Sequence, residues 1–443
     1  MKKAILFIGI TYLMISCDVL NVDPVDSIPA DQAFTNKAGI ERGIIGSYST
    51  LQSLSYYGRT YQIFSDLGAD ILAHPTDATA SDYAEIDNNA ILPENAAISG
   101  IWASIYDGLN VANNVIDKVP DMADMSDDEK NKALGELYFL RALHHFNLLN
   151  YFGAIPLKTE PTIGVSQLNA GRDPVDVVYQ QIVEDLVFAE QHLQASPSVK
   201  IRASKFAAKA LLSRVYLYTG EYDLAWQEAN DVILNGGYTL LDDYADVFSN
   251  DGSAETIFEV DFTEVDRNRV AEYNFPKSLN GRREVAPDAG LLSGYEAGDL
   301  RKDVSIAYDG INAYAIKYND LSKGADNIIV LRLAEMYLIR AEAEAYQASA
   351  DLSAVRNDLN AIRLRAGLSL SPAVTLNELV AGIEKERKFE FAFEGHRWFD
   401  LVRTNLAMTV LPNVTNSNKM LFPIPSSEIQ TNTSPEMTQN PGY

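Results

Sequence analysis

The sequence predicts a mostly α-helical protein, a tetratricopeptide-like scaffold of stacked helix pairs carrying a loop-rich half and a few short strands. Three observations predict it. LAEMYLIRAEAEAY (Leu333 to Tyr346) and ADLSAVRNDLNAIRLRAG (Ala350 to Gly367) read as two helices with a short break. Ala341, Ala343, Ala345, Ala348 and Ala350 would let neighbouring helices approach closely, and this alternation of small and large apolar residues is the unit of a tetratricopeptide-like solenoid. A second pair repeats the pattern upstream, with Ala207, Ala208 and Ala210 in one helix, Gly220 at the break, and Ala225 and Ala229 in the next. Between the pairs, about 90 residues lose this regularity.

In chain order, MKK followed by AILFIGITYLMI gives a basic start and a short apolar core, too short to span a bilayer, where about 20 residues are wanted. Residues 1–16 therefore read as a signal peptide. Leu13-Met14-Ile15-Ser16-Cys17 resembles a lipobox, which would make Cys17 the acylated first residue of a bacterial lipoprotein; the alternative is an ordinary signal peptide with a cysteine near the cut. Residues 17–33 are polar, acidic and proline-bearing, and read as a tether. The body, residues 34–443, reads as one unit with its helical scaffold mainly in 99–236 and 328–403, and irregular insertions at 55–98 and 238–327.

Within it, Thr35 is positioned to cap a helix over about 37–54. Residues 55–93 carry tyrosines and turn formers and no long helical period. Helical stripes resume at Ser99 and again over about 127–149. Asp173 is positioned to cap a helix that starts with Pro174. Then ETIFEVDFT reads as a strand, a helix pair as 328–366, and a helix as 375–392. In the irregular tail, apolar Leu421 to Ile424 should tuck against the body.

The 443 residues carry a formal charge of −25, which disfavours nucleic acid and anionic membrane faces and leaves neutral sugars open. Cys17 is the only cysteine and there are five histidines, so neither a disulfide framework nor a Cys-based metal site is expected. No HExxH, GxSxG, Walker or GxGxxG string occurs, and the expectation is no enzyme, no cofactor and no metal site. Glu384, Glu386, Glu390 and Glu394 with Arg387 and Arg397 read as structural ion pairs at i,i+3, such as Glu384–Arg387 and Glu394–Arg397, rather than as an acid/base cluster. His144 and His145 read as helix-surface or satisfied core residues; Asp299, Asp303 and Asp309 lie in a turn-rich part and are the candidate oxygen ligands for a cation.

Several strings occur together and in order: IWASIYDGLNVANNVID (Ile101 to Asp117), LGELYFLRALHHFNLLNYFGAIPL (Leu134 to Leu157), KFAAKALLSRVYLYTGEYDLA, VLRLAEMYLIRAEA, EKERKFEFAFEGHRWFDLVR and the closing PIPSSEIQTNTSPEMTQNPGY. In these the chain resembles the SusD/RagB-like outer-membrane lipoproteins of Bacteroidetes along nearly its whole length. The resemblance implies a non-catalytic, surface-exposed binding protein, held to the outer membrane by its acyl anchor. It would capture an oligosaccharide and deliver it to a SusC-like TonB-dependent transporter, over which it sits as a lid. It leaves open a mainly structural role in the importer, or a non-sugar nutrient such as a peptide.

A sugar site wants aromatic faces for stacking and amides, carboxylates or guanidinium groups for the hydroxyls. Two loop regions offer that mixture. One holds Tyr56, Tyr57, Arg59, Tyr61, His74, Asp77, Tyr83, Asn88 and Asn89; the other holds Tyr273, Asn274, Phe275, Arg282, Arg283, Tyr295, Tyr308 and Tyr314. The expected ligand contacts are Tyr56, Tyr57, His74, Tyr83 and Tyr295, while Trp102, Trp226 and Trp398 fall on helical motifs and read as core.

Overall fold

The computed structural model describes residues 33–164, 167–195 and 199–443. The signal peptide, Cys17 and nearly all of the tether lie outside the described residues.

Among the described residues, nine long helices build the scaffold. α1 (Lys37–Ser49) precedes two short helices, α2 (Thr60–Leu67) and α3 (Ser81–Asp87), and the long α4 (Ala96–Lys118) and α5 (Asp127–Phe152). α6 (Val175–His192), α7 (Lys205–Thr219) and α8 (Tyr222–Asn235) follow. Residues 236–332 then interrupt the helices before α12 (Leu333–Tyr346), α13 (Leu352–Arg365) and α14 (Leu376–Glu390) complete them. Each helix packs on the next, and α8 packs directly against α12 although the interruption lies between them. Ala207, Ala208, Ala210, Ala225, Ala229, Ala341 and Ala343 are all fully buried, so the small-residue positions sit where helix axes close on one another.

Local chemistry sets most boundaries. Ser126 with Glu129 starts α5, and Thr375 with Glu378 starts α14, each as a reciprocal capping box. Three expected boundaries change. Asn36, not Thr35, caps α1 by accepting from the Gly39 N–H. Asp173 does not cap α6; its carboxylate accepts from the Leu157 N–H at 2.8 Å and ties down the connector instead. The stretch read as irregular over 55–98 contains α2, α3 and the start of α4, which Asn95 caps at Ala96 rather than at Ser99.

The interruption holds short helices α9 (Val270–Asn274), α10 (Ala289–Gly294) and α11 (Arg301–Ser305), and five strands that, with one strand from the first loop region, form three two-stranded antiparallel sheets among the described residues. β1 (Leu72–Ala73) pairs with β3 (Ala286–Pro287), and β4 (Ile306–Asp309) with β5 (Asn312–Ala315). β2 (Thr256–Val260), expected as a strand, pairs with β6 (Ile328–Arg332), whose residues were read as the first turn of a helix. Ile328, Ile329 and Val330 are β-branched and buried; the chain turns helical only after Arg332.

Around Arg332 lies a buried ionic network. Its guanidinium donates to Glu394 at 2.7 and 2.8 Å, to Glu255 at 2.8 Å and to Glu390 at 2.5 Å. Arg365 bridges Glu255 and Glu390, Lys317 reaches Glu394 at 2.7 Å, and Arg301 engages Asp299 and Glu386. Burial works to raise the Glu390 carboxyl, but Arg365, Arg332 and Arg301 outweigh it and hold it below the usual carboxylate range. The glutamates of the 384–394 stretch are therefore structural, as expected, but with other partners. Arg387 pairs with Asp400 and Arg397 with Asp70 and Glu384, because tertiary neighbours outcompete the i,i+3 geometry.

The tail behaves as expected: Phe422 and Ile424 are fully buried, and the Phe422 N–H donates to the Tyr151 carbonyl at 2.8 Å. His144 and His145 are core residues that burial holds neutral, with pKa values pushed down to about 3.

Two outcomes test this packing. Arg332→Met leaves Glu390 and Glu394 underpaired in the core and should cost about 3–5 kcal/mol in urea unfolding; a loss below about 1 kcal/mol would show the network to be dispensable. Asp66, on α2, is fully buried and accepts from the Gly395 N–H at 3.2 Å; burial pushes its pKa up to about 7. Between about pH 4 and pH 7 the unfolded state is ionised and the folded state is not, so this group costs stability as pH rises through that window and no further above it. Asp66→Asn should therefore gain on the wild type by up to about 4 kcal/mol from pH 4 to pH 7, read from urea midpoints at each pH.

Candidate ligand-binding face

The two loop regions meet on one surface. β1 and β3 join them, with Leu72 opposite Pro287 and Ala73 opposite Ala286. Glu284 accepts from the N–H groups of Thr79 and Ala80, both at 2.9 Å, and from the Thr79 hydroxyl at 3.0 Å. These bonds outweigh burial and keep its carboxyl below the usual range. His74 Nδ1 lies 2.9 Å from the Glu284 carbonyl oxygen.

Arg283 is the pivot of this surface. Its guanidinium pairs with Asp77 and donates to the Asn312 side chain at 3.1 Å, so one side chain clamps three segments. Its φ is +52°, a left-handed conformation that a residue with a Cβ, such as arginine, adopts only at a cost of about 1–2 kcal/mol. The preceding turn is closed tightly enough that a Cβ on Gly281 would fall 2.0 Å from the Phe275 carbonyl oxygen, so only glycine fits there. Beside Arg283, the rings of Phe275 and Tyr314 pack with centroids 4.8 Å apart and stay partly exposed. Tyr308, on β4, is 53% exposed. Ser278 bonds Asp309 at the rim. The face thus combines aromatic rings with a guanidinium, amides and carboxylates on a fixed backbone.

A second concavity, of about 320 Å³, is lined by Trp102, Tyr106, Asn110, Lys158, Glu428 and neighbours from α4, the connector after α5 and the tail. Sequence reasoning missed it because it placed Trp102 in the core. Trp102 is indeed buried, but one edge of its surroundings is this cleft; the recurrence Trp102, Tyr106, Asn110, Asn113 along one helix face was the available signal.

A family model described as "SusD family" matches residues 300–443, and one described as "Starch-binding associating with outer membrane" matches residues 20–217. The chain belongs to the SusD family. Among relatives, SusD-like protein P2 of Formosa agariphila is 27% identical over 100% of both chains, and starch-binding protein SusD of Bacteroides thetaiotaomicron is 24% identical over 72% of this chain and 74% of that one. The solved structure of a laminarin binding SusD-like protein matches 93% of this chain and 100% of its own, at 27% identity and a TM-score of 0.82. A SusD superfamily protein from Bacteroides vulgatus, at 21% identity and a TM-score of 0.85 over 93% of this chain and 100% of its own, shares the fold.

In this SusD-family chain, three of the five expected contact residues are corrected to framework. Tyr56 and Tyr57 are buried beneath the loops, and the Asn147 amide donates to both hydroxyls, at 2.6 and 2.9 Å. Burial raises both phenols, Tyr57 to about 12. Tyr83 is buried edge-on to Phe64 and beside Tyr273. Packing covers the rings of all three, which places them in the framework beneath the loops. Tyr295 is partly buried against Phe389, 4.7 Å between ring centroids, away from the Arg283 contacts. His74 alone of the five joins the face. Asp299 is taken by Arg301 and Asp309 by Ser278, so these two carboxylates serve separate partners.

Proposed function

We propose that this SusD-family protein is a non-catalytic glycan-binding lipoprotein of the outer membrane. It is anchored through an acylated Cys17, faces the cell exterior, and delivers captured oligosaccharide to a SusC-like TonB-dependent transporter. The observation that carries the reading is the meeting of both loop regions at Arg283. Partly exposed rings of Phe275, Tyr308 and Tyr314 offer stacking surface, while Arg283, Asn312, Asp77 and His74 offer hydroxyl-binding groups. The left-handed φ of Arg283 supports it, since backbone strain of this kind persists where a loop is held for a purpose. The family description of outer-membrane association and starch binding, and a structural neighbour titled as binding laminarin, make β-glucan and starch-type oligosaccharides the first ligands to try.

The acidic surface suits neutral sugars better than anionic ones. Glu390 and Glu394 are bound by arginines in the core, which favours binding without turnover.

Calorimetry with laminarin and maltose-series oligosaccharides tests the face: Arg283→Ala and Tyr314→Ala should each weaken binding about tenfold or more, corresponding to about 1.4 kcal/mol, with the melting curve retained. Full affinity in both variants would move the site elsewhere. Membrane fractionation tests the anchor, since Cys17→Ala should release the protein from the outer-membrane fraction; retention there would rule out attachment through this cysteine.

A further inference from the structure

The second cleft has its own lining, distinct from the Arg283 face, and its size falls at the small end of ligand pockets, ~300–1,000 Å³. Its floor is Trp102 and Tyr106, one helical turn apart with ring centroids 4.9 Å from each other. Some polar groups are structural. The Tyr106 hydroxyl donates to the Pro156 carbonyl at 2.8 Å and Asn113 donates to the Lys158 carbonyl at 3.0 Å, which together hold the far wall against α4. The Lys158 ammonium donates to the Gln167 carbonyl at 2.5 Å, so the one cation in the lining is turned onto backbone.

Other polar groups are left for a ligand. Asn110 accepts from the Thr162 N–H at 3.0 Å, but its amide NH2 donates to nothing among the described residues. The carboxylates of Asp107 and Glu160 and the hydroxyl of Thr162 have no hydrogen-bond partner among the described residues either. The cleft therefore presents acceptors, a donor and a hydroxyl around an aromatic floor, with a surplus of carboxylates.

We infer that this cleft is a second carbohydrate site, which takes the end of a neutral oligosaccharide. Carboxylates and an amide bind hydroxyls from both sides of the hydrogen bond, and the aromatic floor with Pro156 and Met437 meets the apolar C–H surface of a sugar. Uronic or sulfated sugars are rejected, because Asp107, Glu160 and Glu428 repel them and Lys158 is already engaged. The inference rests on the glycan-binding reading and adds to it a separate site with a charge preference.

The full chain is titrated calorimetrically with laminarin oligosaccharides and with oligogalacturonates of matched length. Arg283→Ala should leave a residual laminarin-oligosaccharide site of one-to-one stoichiometry that oligogalacturonates do not fill. Adding Ala103→Trp, which places an indole from an exposed position into the cleft, should abolish that residual binding. The double change Asp107→Ala with Glu160→Ala should weaken it at least tenfold. If wild-type protein binds and Arg283→Ala removes all of it, or if neither cleft variant alters residual binding, the cleft is not a sugar site and the loop face stands alone. Preferential uptake of oligogalacturonate in the cleft would also overturn it. Failure of the wild type to bind any neutral sugar would overturn both sites together.

Discussion

Burying Arg332 obliges much of the rest of this protein to be where it is. A guanidinium in a core is tolerable only when every donor meets an acceptor, and here those acceptors come from the residue just before β2, from the end of α14 and from the turn that follows it. Glu390 and Glu394 in turn need more positive charge than Arg332 supplies, which draws in Arg365 from α13, and Arg301 and Lys317 from the interruption. Five cations, Arg301, Lys317, Arg332, Arg363 and Arg365, thus meet five carboxylates, Asp299, Glu255, Glu386, Glu390 and Glu394. A hydrophobic core tolerates sliding and repacking; a buried set of paired charges, opening to the surface only where Arg363 also meets Glu296, tolerates one arrangement. The network therefore fixes the orientation of the loop-rich half on the helical half.

That orientation is what the ligand face needs. α2 is clasped from below by the turn after α14, where the Gln62 amide donates to the Phe393 carbonyl and the Gly395 N–H to Asp66. The tyrosines around α2 are then drawn onto α5 by Asn147. With these inner contacts satisfied, the outer edges of both loop regions are left free to join through β1–β3 and Arg283.

The helix pairs were legible because their signal is local: small and large apolar residues alternate at helical spacing, and Ala207 or Ala341 needs no distant partner to declare its face. β6 was not legible, since four apolar residues and an arginine running straight into a helix carry no boundary mark, and its strand character comes from pairing with β2. Asn36 displaced Thr35 as a cap by a single residue, a difference set by entry geometry. The two loop-rich regions that meet at Arg283 were legible as regions, from aromatic and polar residues without period. Their individual contacts were not. Tyr56 and Tyr57 carry the composition of a ligand surface, and only the position of Asn147, some 90 residues later, turns them inward. Arg283 stood among the candidates, but its central position depends on Asp77 and Asn312 arriving from two other segments.

The direct packing of α8 on α12 gives the interruption an unusual freedom. Because its two ends leave and re-enter the solenoid at neighbouring points, the scaffold is closed without it, and its length is nearly free: doubling a loop adds only about 0.6 kcal/mol of closure entropy. It behaves as an exchangeable cassette. The condition on exchange is chemical rather than geometric, since any replacement must return Glu255, Asp299, Arg301 and Lys317 to the buried network. Around those four residues, the rest of the interruption can change in length and sequence while the stacked helices stay as they are.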